Sequence, residues 1–193
     1  MIREVRTGIL LLIASLIASF LLLWAKLHEE LLFIIPAILA VIAGSYIREG
    51  FSETFADGYR AGEYIFRYAT LLSAGIIVLQ EGSSSYIVYI SGIIILVSAL
   101  LFLFFGMLFL GAAVRQVGKM SNEPLSKIAG NLIEATLLFA VFDLGLMLVI
   151  PSFRYYLFFA PLLVLLSLVL AYIGLKRVKE GKMILHQEKQ SLS

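Results

Sequence analysis

The sequence predicts an all-α integral membrane protein with six transmembrane helices, arranged as three tandem two-helix hairpins with both termini cytoplasmic. Three observations predict it. First, 61% of the 193 residues are hydrophobic, above the roughly 45–50% typical of soluble domains. Second, the apolar residues gather in long uncharged runs separated by short charged stretches, with a mean hydropathy of +1.01. Each run is near the roughly 20 residues that carry a helix across a hydrocarbon core of about 30 Å. Third, the basic residues fall on one side of a six-span arrangement.

The first run, 8–25, follows the basic start Arg3 and Arg6. It is longer than the roughly 7–15 residues of a signal-peptide core, and Lys26-Leu-His-Glu-Glu30 follows it instead of a small-residue cleavage site. It therefore reads as a retained span. The remaining spans are expected at about 31–47, 64–80, 86–113, 127–150 and 155–175. The fourth run is long enough to tilt or bend, with Gly92, Gly106 and Gly111 along it. Pro36 and Pro161 fall within spans 2 and 6, where neighbouring helices can satisfy a carbonyl freed by proline. Tyr86, Tyr89, Phe153, Tyr155 and Tyr156 sit at span ends, as in an interfacial aromatic belt.

Topology follows from the charges. Of 15 Lys and Arg residues, all but Lys26 and Arg154 lie in the amino end, the loops after spans 2 and 4, or the tail. Under the positive-inside rule those segments are cytoplasmic. Five or seven spans would scatter the same charges over both sides. The expected location is the cell membrane, with a single domain over 1–177 and a basic cytoplasmic tail over 178–193.

A repeat accompanies this topology. Gly44 to Leu72 and Gly111 to Leu138 both begin Gly-x-x-x-Arg and both close on Ala-Thr-Leu-Leu. Each odd span is entered by a basic residue before a glycine: Arg6 and Gly8, Arg60 and Gly62, Lys127 and Gly130. Each even span ends with a glycine before an arginine: Gly44 and Arg48, Gly111 and Arg115, Gly174 and Arg177. The chain thus reads as hairpins over about 6–48, 60–115 and 127–177. Such parallel repeats can be related by an axis along the membrane normal.

The two cytoplasmic loops differ. In Glu49 to Gly62, Phe51, Phe55 and Tyr59 recur at helical spacing opposite Glu53 and Asp57. Two readings stay open: a short interfacial helix with its aromatics in lipid, or aromatics packed under the bundle. In the second loop, Ser121-Asn-Glu-Pro124 reads as a helix start, since proline is allowed in a first turn. Small residues mark close helix contacts: Ala14/Ala18 and Ser15/Ser19 in span 1, Ala40/Gly44 in span 2, Ala69/Ser73 in span 3 and Ser167/Ala171 in span 6.

Chemistry centres on span 5, which carries Asn131, Glu134 and Asp143. A charge near the bilayer centre costs roughly 2.5–3.5 kcal/mol on insertion scales, so such residues face the bundle, find partners or mark a pathway. Asn131 and Glu134 share a helix face. Glu134 and Asp143 point to opposite faces about 13–14 Å apart along the axis, which excludes a paired-carboxylate site on this helix alone. The repeat puts Arg67 and Glu134 at similar depth, so an Arg67–Glu134 ion pair is expected, with Glu63 as the local competitor for Arg67. Asp143 lies in the outer half of the core without an evident basic partner. It suits a protonatable pathway residue, or a neutral acid hydrogen-bonded to another helix.

Other classes are excluded or disfavoured. The chain has no cysteine, which removes disulfides, thiolate catalysis and Cys-ligated metals. Its two histidines, His28 and His186, lie far apart outside the spans. Neither Walker A, dinucleotide-glycine nor His-Glu-x-x-His patterns occur, and the intramembrane serine and aspartyl protease motifs are missing. No cofactor, metal, catalytic residue or nucleic-acid partner is expected. The expected partners are the bilayer, anionic headgroups at the cytoplasmic face, and a second copy or a larger membrane complex.

The segment Phe109-Leu-Gly-Ala-Ala-Val-Arg115 through Ala129-Gly-Asn-Leu-Ile-Glu134 resembles a family of small archaeal multi-spanning membrane proteins of unknown function. That resemblance implies an archaeal membrane protein and no particular activity. The three-hairpin plan is similar to that of mitochondrial carriers, but their Pro-x-Asp/Glu-x-x-Lys/Arg signature is absent from the odd spans. The expected function is a small transporter or channel with its pathway between hairpins. The alternative is a structural or assembly subunit of a membrane complex.

Overall fold

The computed structural model describes residues 2–24, 32, 34–51, 55–81, 86–149 and 159–178. Among them are six helices and no strand: α1 (Ile2–Trp24), α2 (Ile34–Phe51), α3 (Ala56–Glu81), α4 (Tyr86–Ser121), α5 (Pro124–Val149) and α6 (Phe159–Arg177). Five of them, α1 to α5, are long and apolar enough to cross a membrane. Large apolar side chains along them stay exposed, among them Leu21, Ile38, Ile94, Leu100 and Leu138. Hydrocarbon is the solvent that suits such surfaces.

The helices run past the expected spans at the basic ends. α3 begins at Ala56 instead of 64, and α4 continues to Ser121 instead of 113. Hydropathy marks only the part of a helix that lies in hydrocarbon. Backbone hydrogen bonding carries the helix on through the polar residues beyond. With 36 residues, α4 is about 54 Å long, well above a hydrocarbon thickness of about 30 Å. Pro36 and Pro161 each occupy the third position of their helix. There the missing N–H has no intrahelical partner to lose, so neither breaks a helix.

The chain divides into two compact units, the first from Arg3 to Gly106 and the second from Met107 onward. In the first, α1 lies on α2 through Gly8, where an added Cβ would come 2.8 Å from the Ala43 carbonyl oxygen. The buried Ser15 hydroxyl donates to the Pro36 carbonyl at 2.7 Å. Of the small residues expected to pack on α1, Ser15 carries this contact, Ser19 donates back to the Ser15 carbonyl at 2.9 Å and Ala14 is exposed. α2 crosses α3 at Gly44 and Gly62. Ala40, Tyr68, Ala69 and Ala99 form a buried cluster, with Leu71, Phe102 and Leu103 packed against it. Toward the C-terminal end of α3 and the start of α4, Gly75 lies beside Leu96 and Gly92 beside Leu79.

The aromatics of the first loop pack inside. Phe51 ends α2, Phe55 precedes α3, and both are buried with ring centroids 5.9 Å apart. A side chain at Gly58 would strike the Phe51 ring. Tyr59 alone of the three is exposed. The packed reading of this loop therefore holds for Phe51 and Phe55, whose rings are buried against each other. Glu53 lies outside the described residues.

In the second unit, α4 and α5 are joined by Asn122 and Glu123. Glu123 N–H donates to the Gly118 carbonyl at 2.9 Å and Asn122 N–H to that of Lys119 at 3.4 Å. This is a Schellman cap, with Asn122 at φ 56° in the left-handed position usually held by glycine. Pro124 then starts α5 as expected. α5 packs on α6 where Ser126 meets Gly174. Ser167 and Ala171 are buried on α6.

Candidate functional site: a charged crossing of two span helices

α4 and α5 run antiparallel and touch through glycines. A Cβ on Gly130 would lie 2.5 Å from the Gly111 carbonyl oxygen and 2.7 Å from Arg115 N. One on Gly111 would lie 3.0 Å from the Gly130 oxygen and 3.1 Å from Glu134 Cγ. Arg115 thus leaves α4 over Gly130, and Glu134 leaves α5 over Gly111. Helical side chains lean toward the helix N-terminus. In an antiparallel pair, Arg115 and Glu134 therefore lean toward each other.

They meet. Arg115 Nη1 donates to Glu134 Oε2 at 2.7 Å and to Asn131 Oδ1 at 3.4 Å. The side chains are 36% and 25% exposed, so the pair sits at the edge of the crossing and not sealed within it. Asn131 and Glu134 share a face as the spacing predicts, and that face is turned to Arg115. Lys127 Nζ donates to Asn122 Oδ1 at 3.3 Å, tying the first turn of α5 to the cap.

Both members of the expected Arg67–Glu134 pair have partners within their own units. Arg67 bonds Glu63 on its own helix, one turn earlier, and its guanidinium lies 5.9 Å from the Phe102 ring centroid. Each charge is satisfied inside its own unit. The i,i+4 partner on α3 costs less ordering than a partner on a distant helix, and Glu134 has Arg115 across a glycine contact. The expected depths say nothing of helix rotation, and register and side-chain lean chose the partners. Arg115, which the charge bias uses only for topology, is the member that sequence reasoning missed. Its position four residues after Gly111 was the available signal.

Asp143 belongs to α5, nine residues beyond Glu134, but its side chain lies outside the described residues. Among the described residues, no group of three or more His, Asp or Glu side chains could hold a metal ion.

The α2–α3 crossing has the same register as α4–α5. A Cβ on Gly44 would meet Phe66 N at 2.7 Å and the Gly62 oxygen at 2.8 Å, and one on Gly62 would strike Arg48. Gly44, Arg48, Gly62 and Phe66 thus occupy the positions of Gly111, Arg115, Gly130 and Glu134. No family model, curated protein or solved structure matches the chain.

Proposed function

We propose that the chain is a six-span membrane protein with cytoplasmic termini, built from three hairpin repeats, and that it acts as a small transporter or channel. On this reading it is not an enzyme. It belongs with the small archaeal membrane proteins that its 109–134 segment resembles. The supporting observation is the exposure of charge on span helices. Glu63 and Arg67 on α3 have side chains 35% and 53% exposed, and Arg115 and Glu134 are open on one side. Charge turned to hydrocarbon costs up to about 2.5–3.5 kcal/mol on insertion scales. Water in a pathway removes that cost. Asp143, on the same helix as Glu134, is the further residue to test on this reading. The shared register of the two glycine crossings supports the repeat.

The cysteine-free sequence makes the test direct. Single cysteines at 67, 134 and 143 are exposed to a membrane-impermeant thiol reagent from each side in turn. Labelling at all three supports a pathway. Protection at 134 and 143, together with isolation in a larger assembly, supports the second reading, a structural or assembly subunit. That reading draws on the small-residue packing at every helix crossing described above. Cysteines near each terminus, labelled only from inside, would establish the orientation.

A further inference from the structure

The two crossings share a backbone register but not a charge balance. Arg115 lies over Gly130 and is neutralised by Glu134 at 2.7 Å. Arg48 lies over Gly62 in the same way, but Phe66 stands where the carboxylate would be. Glu63, one residue after Gly62 as Asn131 is one after Gly130, is engaged by Arg67. Among the described residues, no acid pairs with Arg48. Arg48 is half-buried, and Phe66, whose backbone borders this crossing, is 38% exposed.

We propose that Arg48 anchors a phosphate-binding site on the α2–α3 crossing, where an external phosphate oxyanion takes the place that Glu134 fills in the α4–α5 crossing. Guanidinium is suited to it because its planar fork matches phosphate oxygens as it matches carboxylate. The exposed Phe66 ring gives the site an apolar wall, which fits the glycerol and upper acyl region of an anionic lipid. Placing the site in the cytoplasmic leaflet rests on the topology proposed above. The existence of the site does not.

The test is lipid retention by the purified full chain in detergent, read by native mass spectrometry with phosphatidylglycerol against phosphatidylcholine. A second arm adds inorganic phosphate as competitor. Wild-type protein should prefer the anionic lipid, and Arg48→Gln should cut that preference about fivefold, the effect of one basic residue at an anionic surface. Phe66→Glu should do the same with Arg48 still present, because it installs the internal carboxylate of the other crossing. Glu134→Gln should leave the preference unchanged or raise it. Displacement of the lipid by millimolar phosphate would identify a soluble anion as the natural source. Resistance to phosphate would identify the lipid. Wild-type preference retained in both Arg48→Gln and Phe66→Glu would overturn the proposal. Detergent has no sides, so a wrong orientation would shift the site to the other leaflet without changing this result, and the cysteine labelling above would reveal it separately.

Discussion

Arg115 and Glu134 face each other across a glycine contact, with 2.7 Å between guanidinium nitrogen and carboxylate oxygen. The pair joins α4 to α5 one turn away from Gly111 and Gly130, so close backbone approach and charge pairing reinforce each other. Its partial exposure limits its strength, since water or headgroups screen the open side.

A double-mutant cycle measures that strength. Arg115→Gln and Glu134→Gln should each destabilise the protein in detergent. The coupling between them should be about 0.5–1.5 kcal/mol, the range of interhelical polar contacts in membrane proteins. A coupling indistinguishable from zero would reduce the pair to a surface contact.

The glycines should divide by what faces them. At Gly130 a new Cβ would lie 2.5 Å from the Gly111 backbone oxygen, so the helices must separate, and Gly130→Ala should cost about 1–3 kcal/mol. At Gly92 the nearest atoms, at 2.7 and 2.8 Å, belong to the Leu79 side chain, which can rotate away. Gly92→Ala should therefore cost less than about 1 kcal/mol. Thermal unfolding of the two variants in one detergent compares them, and equal losses would contradict the assigned contacts.

Asn122 holds φ 56° at the end of α4. Asn122→Gly should keep stability within about 0.5 kcal/mol, since glycine accepts this conformation freely. Asn122→Val should lose about 1–2 kcal/mol through clash in the left-handed region. The same unfolding measurement decides it, and a neutral valine would mean that the cap is not under this constraint.

Phe55 is 1% exposed and Tyr59 is 38% exposed. Phe55→Ala should cost about 3–5 kcal/mol by emptying a filled space, and Tyr59→Ala should cost far less. The opposite order would return the first loop to an interfacial helix with its aromatics in lipid.

Sequence by itself determined the helical class, the approximate places of the apolar runs, the start of α5 at Pro124 and the contact at Gly44. Each of these is local: a run of apolar side chains, a proline's fixed φ, or a missing Cβ acts wherever it stands. The repeat of Gly-x-x-x-Arg also marked Gly44 and Gly111, each of which faces a second glycine, Gly62 and Gly130, across a backbone contact. Tertiary structure decided which charges pair. The repeat assigns Arg67 and Glu134 a similar depth, yet Arg67 turns to Glu63 and Glu134 to Arg115. Depth is a one-dimensional quantity that a sequence carries. Pairing depends on helix rotation, antiparallel register and the lean of side chains, which exist only once two helices are packed. The inward turn of Phe51 and Phe55 was decided in the same way, because periodicity shows that the residues share a face and not what that face meets.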